Sequence, residues 1–396
     1  MHRLPRVFAL APVLVPVLGL LGVPRAFADE GSDDDGIVGE GQADGEAPPL
    51  SIYGFARLDV LGGDARMSDG EQPQYVMPAM EGGDGELTMT PRLSRFGLSI
   101  DEWNLRGDEV RGEGKIEIDF GGGAGVNTIR LRHAYAQLRL FQKIELLAGQ
   151  TWDVVSPLVP SAQNDTQLIF AGNTGDRRPQ VRLTVTPRDK LRIAVAAAAG
   201  GTLDPRDEDG DGQLEGIAAA RPMVQGLVEL KLPLYRRGPA MRIGVSGHAS
   251  RTPLANGMTA PSRSIGGHLF LPVAPIVMVV GEMYTGANAA DIGGGIGQGV
   301  NTMTNEVIHA WGGWGELVLL PTRRHLLALG GSGDAARADD LSVGDRTSNR
   351  TLYGVLRYKP HPALQLGVEY LNWRTSYKGM APGLANRFDL HLSVLF

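Results

Sequence analysis

Apolar and polar residues alternate with a period of two along most of the chain. The final ten residues, RFDLHLSVLF, put Phe388, Leu390, Leu392, Val394 and Phe396 on one face and Arg387, Asp389, His391 and Ser393 on the other. That repeat is the signature of a β-strand. It recurs from Ser51 onward. Ile52, Leu58 and Val60 oppose Arg57 and Asp59, and Phe96, Leu98 and Ile100 oppose Arg95 and Ser99. Ile116, Ile118 and Phe120 oppose Lys115, Glu117 and Asp119; Val181, Leu183 and Val185 oppose Arg182 and Thr184; Leu191, Ile193 and Val195 oppose Arg192. Similar stretches near 223–232, 241–248, 264–271, 276–284, 306–320, 326–331, 351–359 and 364–374, with IRLRHAYAQLRL and KIELLAG, bring the expected number of strands to about 16.

Short polar turns (TPRDK, LFQK, PTRRH, KPHPA) separate these strands in alternation with long loops at 61–90, 151–178, 200–221, 287–304 and 333–347. Tight turns at one end and long loops at the other are the asymmetry of an outer-membrane barrel. A lipid-embedded sheet must pair every backbone polar group, which closure achieves. The expected fold is therefore all-β: a transmembrane antiparallel up-and-down β-barrel in the bacterial outer membrane, occupying residues 50–396, with outer-membrane lipid against its apolar face.

The beginning of the chain fits that destination. Arg3 and Arg6 precede an apolar run from Val7 to Val23, and Ala26-Phe27-Ala28 forms an A-x-A cleavage pattern. Residues 1–28 are expected to be a signal peptide. Residues 29–49 hold eight acidic residues and no basic ones, and are expected to form an acidic disordered periplasmic leader. Setting aside the three signal-peptide arginines and these eight acids from totals of 38 and 44 leaves 35 basic and 36 acidic residues in the barrel. Bulk charge is thus nearly balanced there, so any ion preference has to come from placement. With no cysteine, no disulfide framework is available.

The stretches SRFGLSI, GEGKIEIDFGGG, IRLRHAYAQLRL and LLAGQTWDVVSP resemble the DcaP-like outer-membrane porins. The likeness is concentrated in residues 51–190; the second half agrees in strand rhythm. The resemblance implies a trimeric 16-stranded channel favouring small anionic solutes such as dicarboxylates, and a terminal Phe396 recognised by the barrel-assembly machinery. One departure is that residues 29–49 show no heptads, unlike the coiled-coil leader of better-known members.

Cations opposite the lipid positions are the candidate pore-lining and solute-binding residues: Arg57, Arg95, Lys115, Arg130, Arg132, Arg182, Arg192 and Arg242, with Lys231 and Arg357 on equivalent faces. Facing lipid near the midplane, each would cost about 2–4 kcal/mol, so they are expected in the lumen. The phase of RLRHAYAQL shifts near His133, which suggests a bulge. Two roles stand side by side: solvating the wall while pairing with Glu113, Glu117, Asp119 and Glu229, or a basic ladder that attracts anions. The 151–178 loop is long enough to fold inward, where Asp153, Asp165 and Asp176 could face the arginines.

At 207–216, DEDGDGQLEG sets Asp207, Asp209, Asp211 and Gly212 at calcium-loop positions 1, 3, 5 and 6. Ala218 occupies position 12, so Glu215 would have to substitute. Ca2+ is the one cofactor the sequence suggests, against the alternative of a solvated acidic loop. His133, His248, His268, His309 and His391 sit in no nucleophile motif, GGGIGQG is a lone glycine-rich loop, and dispersed basic residues give no nucleic-acid surface. The expectation is a passive diffusion channel, not an enzyme. The alternative is a non-conducting structural or receptor barrel whose loops bind a partner or Ca2+.

Overall fold

The computed structural model describes residues 50–396 except 80–84, 107–108, 124–126, 163–165, 202, 204–216, 218, 237 and 255–256. The signal-peptide and leader expectations, Asp165 and the whole 207–216 motif (Asp207, Asp209, Asp211) lie outside the described residues.

One closed antiparallel sheet holds all the strands: β1 (Leu50–Gly63), β2 (Glu86–Thr90), β3 (Arg95–Arg106), β4 (Val110–Gly122), β5 (Thr128–Leu140), β6 (Ile144–Trp152), β7 (Arg177–Arg188), β8 (Leu191–Ala198) and β9 (Met223–Leu232) in the first half. It continues through β10 (Met241–Pro253), β11 (Thr259–Ala274), β12 (Val277–Ala287), β13 (His309–Thr322), β14 (His325–Ala336), β15 (Arg346–His361), β16 (Leu364–Tyr377) and β17 (Met380–Leu395). Seventeen segments make sixteen staves, because β2 and β3 are halves of one. The upper part of β1 pairs with β2, through Asp59↔Thr90, and its lower part with β3, through Phe55↔Arg95. In the break, Ser94 supplies what the ladder loses: Arg57 N donates to Ser94 Oγ at 2.9 Å and that hydroxyl donates to Arg57 O at 3.2 Å.

The seam is β1 against β17, from Phe55↔Leu395 to Gly63↔Arg387. It closes at the last residue, where Phe396 N donates to Gly54 O and Gly54 N to Phe396 O, both at 3.0 Å. On β17 the expected faces are observed. Phe388, Leu390, Leu392 and Val394 are exposed on the outside, while Arg387, Asp389, His391 and Ser393 are buried inside. The bulge near His133 is present too: Glu117 pairs with His133 but Ile118 with Leu131, which leaves Arg132 extra and turns both Arg132 and His133 inward.

Three connections at the loop end pack inside the barrel. Residues 153–162 and 166–176 lie against the inner wall, as the sequence allowed: Ser246 Oγ donates to Val155 O at 2.6 Å, Leu158 N to Glu282 Oε1 at 2.7 Å, Ser161 Oγ to Glu316 Oε1 at 2.7 Å and Trp314 Nε1 to Asn173 Oδ1 at 3.1 Å. Residues 64–79 reach the same region, with Val76 N donating to Thr375 Oγ1 at 2.9 Å. Residues 288–308 are held by Asp291 and Asp334. Asp334 accepts from Ile296 N at 3.0 Å and Tyr284 Oη at 2.6 Å.

Alternation fails in one region. On β12 to β16 the inner face is also apolar: Met278, Val280, Trp314, Val318, Leu326, Ala328, Val355, Leu371 and Trp373 form a buried cluster with Met67, Val76, Leu158, Leu168 and Ala171 of the inward loops. The loops therefore fold in because they and this wall bury each other's apolar surface.

Candidate functional site: a lumen lined by cations

The lumen contains a cavity of about 780 Å³, lined on one side by Ser156–Ala162 of the inward loop and reaching Lys359 and Phe396 near the turn end. Its two sides differ. One is built from β1, β3, β4, β5, β7, β8 and β10, which contribute Arg57, Arg95, Lys115, Arg132, Arg182, Arg192 and Arg242. The other is apolar: Phe270, Met278, Val280, Val318, Leu320 and Leu326, facing Leu158, Val159 and Pro160 of the inward loop.

Seven of the eight cations chosen from the sequence thus converge on one cavity. Arg130 does not line it. Its guanidinium lies on Asp119, with Nε and Nη2 donating at 2.9 and 2.6 Å, so its position there is structural. Two further lining cations are Arg357, which donates to Ser161 O and ties the inward loop down, and Lys359. Lys359 follows the β15 alternation one period beyond Arg357 but sits where the strand nears its turn, which hides it from a pattern search.

A second layer of carboxylates stands behind the cations. Glu117 accepts from Tyr53 Oη at 2.8 Å and Arg132 Nε at 2.8 Å, with Arg95 at 3.4 Å and Lys115 at 3.6 Å. Asp119 takes Arg132 Nη1 at 2.9 Å as well as Arg130. Asp59 holds Arg57 at 2.9 Å, and Glu229 holds Arg242 at 2.9 Å and His268 at 2.9 Å. Glu117, Asp119 and Glu229 are thus paired with cations, and these contacts hold the guanidiniums of Arg130, Arg132 and Arg242 in place.

Pairing leaves cations in excess: Asp59, Asp119 and Glu229 stand behind the lining and offset part of its charge. Among the described residues the cavity is lined by nine cations and three carboxylates, Glu117, Asp153 and Glu316. Each of the three already accepts hydrogen bonds. Glu316 takes Ser161 N and Oγ and, at 3.0 Å, Tyr353 Oη. Asp153 takes Arg178 at 2.8 Å and Gln225 Nε2 at 2.6 Å. For Asp153 that last geometry corrects the expectation of an acid facing the arginines across a constriction: its side chain is buried against Arg178, which also meets Asp291. Asp291, in the 288–308 loop, is pushed up by burial, but Arg178 and the N–H groups of Gly201 and Leu203 outweigh that and hold its carboxyl below the usual range.

The apolar side, and the acids Glu282 and Glu316 that anchor the inward loop, were missed in the sequence. The available signal was runs of consecutive apolar residues, VMVV at 277–280 and LVLL at 317–320, where a half-polar strand should alternate.

No known family profile matches the chain, and no curated protein sequence matches it. Solved structures do. The outer membrane channel DcaP of Acinetobacter baumannii superposes with a TM-score of 0.73 at 16% identity, covering 90% of this chain and 99% of that one. An anion-selective porin from Comamonas acidovorans gives 0.59 at 12% identity, covering 88% and 100%, and OmpF of Salmonella typhi gives 0.58 at 12%, covering 88% and 98%. The resemblance to DcaP seen in the first-half motifs thus extends to the architecture of the whole barrel, and the chain has the fold of the bacterial outer-membrane porins.

Proposed function

We propose that the protein is a passive diffusion channel of the outer membrane that favours small anions. The observation that carries this reading is the cavity lining: nine cations against three carboxylates that are already hydrogen-bonded. In a narrow, low-dielectric passage the local sign of charge outweighs the near-neutral total. A similar fold in a porin described as anion-selective is in keeping with it. Dicarboxylates are the solutes that the DcaP resemblance suggests, and a homotrimer is the assembly, as in the trimer form of OmpT from Vibrio cholerae.

Reversal potential in a planar bilayer tests the selectivity. Under a KCl gradient the wild type should show the anion-selective sign. Arg182→Gln with Arg192→Gln should move the potential toward cations, more at low salt than at high, because screening shortens from about 30 Å at 0.01 M to about 3 Å at 1 M. A cation-selective wild type, or a double variant with an unchanged potential, overturns the mechanism.

The inward packing of 64–79, 153–162, 166–176 and 288–308 favours a second reading, a barrel whose lumen is closed by its own loops and whose role is structural or receptor-like. Folded protein that inserts into the bilayer without conductance steps would establish that alternative.

A further inference from the structure

The outer face of the barrel carries a feature that the lumen does not explain. Arg350 on β15 and Arg374 on β16 are direct register partners, and both point outward in phase with the exposed residues Leu352, Leu356, Leu366 and Val368. Like charges placed directly opposite oppose strand pairing. The adjoining outward positions offer no carboxylate: Ser348 and Ser376 lie above, Leu352 and Asn372 below, Gly333 and Leu384 to the sides. Among the described residues neither guanidinium forms an ion pair. Half-buried arginines near the turn end are treated differently, since Arg111 and Arg139 meet Glu102 at 3.1 and 3.0 Å.

A second outward pair sits at the same end, with Arg251 and Arg263 on β10 and β11, diagonal to one another through Arg251↔Pro261 and Ala249↔Arg263. Height identifies what these side chains meet. Arg374 is ten residues above the start of β16; at about 3.3 Å per residue and about 40° tilt it stands about 25 Å up, which is the height of the apolar band of such barrels. Just below it the rings of Tyr370 and Phe388 pack at 5.0 Å, as aromatic residues do at a membrane interface.

We propose that Arg350 and Arg374 form a binding site for the phosphate of a phosphorylated lipid in the leaflet around the loop end. Cross-strand partners stand about 5 Å apart, close enough for two guanidiniums to grip one phosphate bidentately. Gly333 adds no side chain beside Arg350, where a Cβ would sit 3.8 Å from Arg350 Cγ, and the lipid's acyl chains lie along Leu352 and Leu384. Lipid phosphate neutralises the like-charge pair that the sheet alone leaves opposed. The site is independent of whether the lumen conducts.

The test uses the full-length barrel in detergent with diphosphorylated lipid A or inorganic phosphate as probe. Lipid A should be retained on the wild type in native mass spectrometry, and Arg350→Gln with Arg374→Gln should weaken retention about tenfold. The pair Arg350→Lys and Arg374→Lys, which keeps charge but loses the fork, should fall between, and gives the answer if the Gln pair does not fold. Equal retention by wild type and variants overturns the proposal. So does inorganic phosphate displacing lipid A at equal phosphate concentration, because the site would then recognise a free anion.

Discussion

At the scale of single residues, glycine and aromatic rings are matched across strands. Tyr53 pairs with Gly97, Tyr284 with Gly312, Tyr353 with Gly330, His268 with Gly244 and His391 with Gly367, and in each case a Cβ on the glycine would strike the partner's ring. The ring lies flat along the inner wall because its neighbour has no side chain. This gives these five glycines a task in the lumen: they keep large polar rings out of the passage and aimed at their partners, as Tyr353 is at Glu316. Gly330→Val should lift Tyr353 away from Glu316 and destabilise the barrel by about 1–3 kcal/mol, seen as a lower temperature for the loss of heat-modifiable mobility on gels. Unchanged mobility would mean that the ring has another place to go.

Between elements, the central relation is the 153–162 segment against β12 and β13. Glu282 accepts from Ser156 Oγ and Leu158 N, while Glu316 accepts from Ser161. Truncating either acid leaves buried donors without a partner, at about 1–3 kcal/mol each. Glu282→Ala should therefore release this segment, raise single-channel conductance and open residues 156–162 to protease; wild-type conductance would show that the apolar contacts of Leu158 suffice. Much of this fold was legible in the chain. Strands with one wet face, such as β1, β4, β7 and β17, announced their phase, and the phase placed Arg57, Lys115 and Arg182 in the lumen. The bulge at Arg132 was legible because it broke that phase. What stayed hidden was long-range. Nothing local distinguishes Arg130, absorbed by Asp119, from Arg182, which lines the cavity. Likewise Asp153 reads as a lumen acid until Arg178 is brought beside it.

For the whole molecule, closure decides whether the other features exist at all. β17 joins β1 along nine register pairs, and Phe396, just after it, completes the ladder with Gly54. Replacing Phe396 by Asp puts a charge where an exposed ring now stands and removes the feature read as an assembly signal. Phe396→Asp should impair membrane insertion more than Ser393→Asp does in the same assay. Normal heat-modifiable protein in the outer membrane from the Phe396 variant would reject that role for the ending.

The inner apolar wall bears on the protein before it becomes a barrel. A strand with one polar face can remain hydrated while it waits for a membrane, but VMVV at 277–280 and LVLL at 317–320 offer water no polar side at all. Such segments stack on copies of themselves when left unpaired. The chain brackets them with residues that discourage stacking: Pro272 and Pro275 before the first, Glu316 before the second, and Pro321, Arg323 and Arg324 after it. In the finished wall these prolines and arginines sit at or beside the turns, where a ladder tolerates them. Such breaks and charges are of use in transit, where they disfavour self-stacking of these two apolar runs until the sheet takes them in.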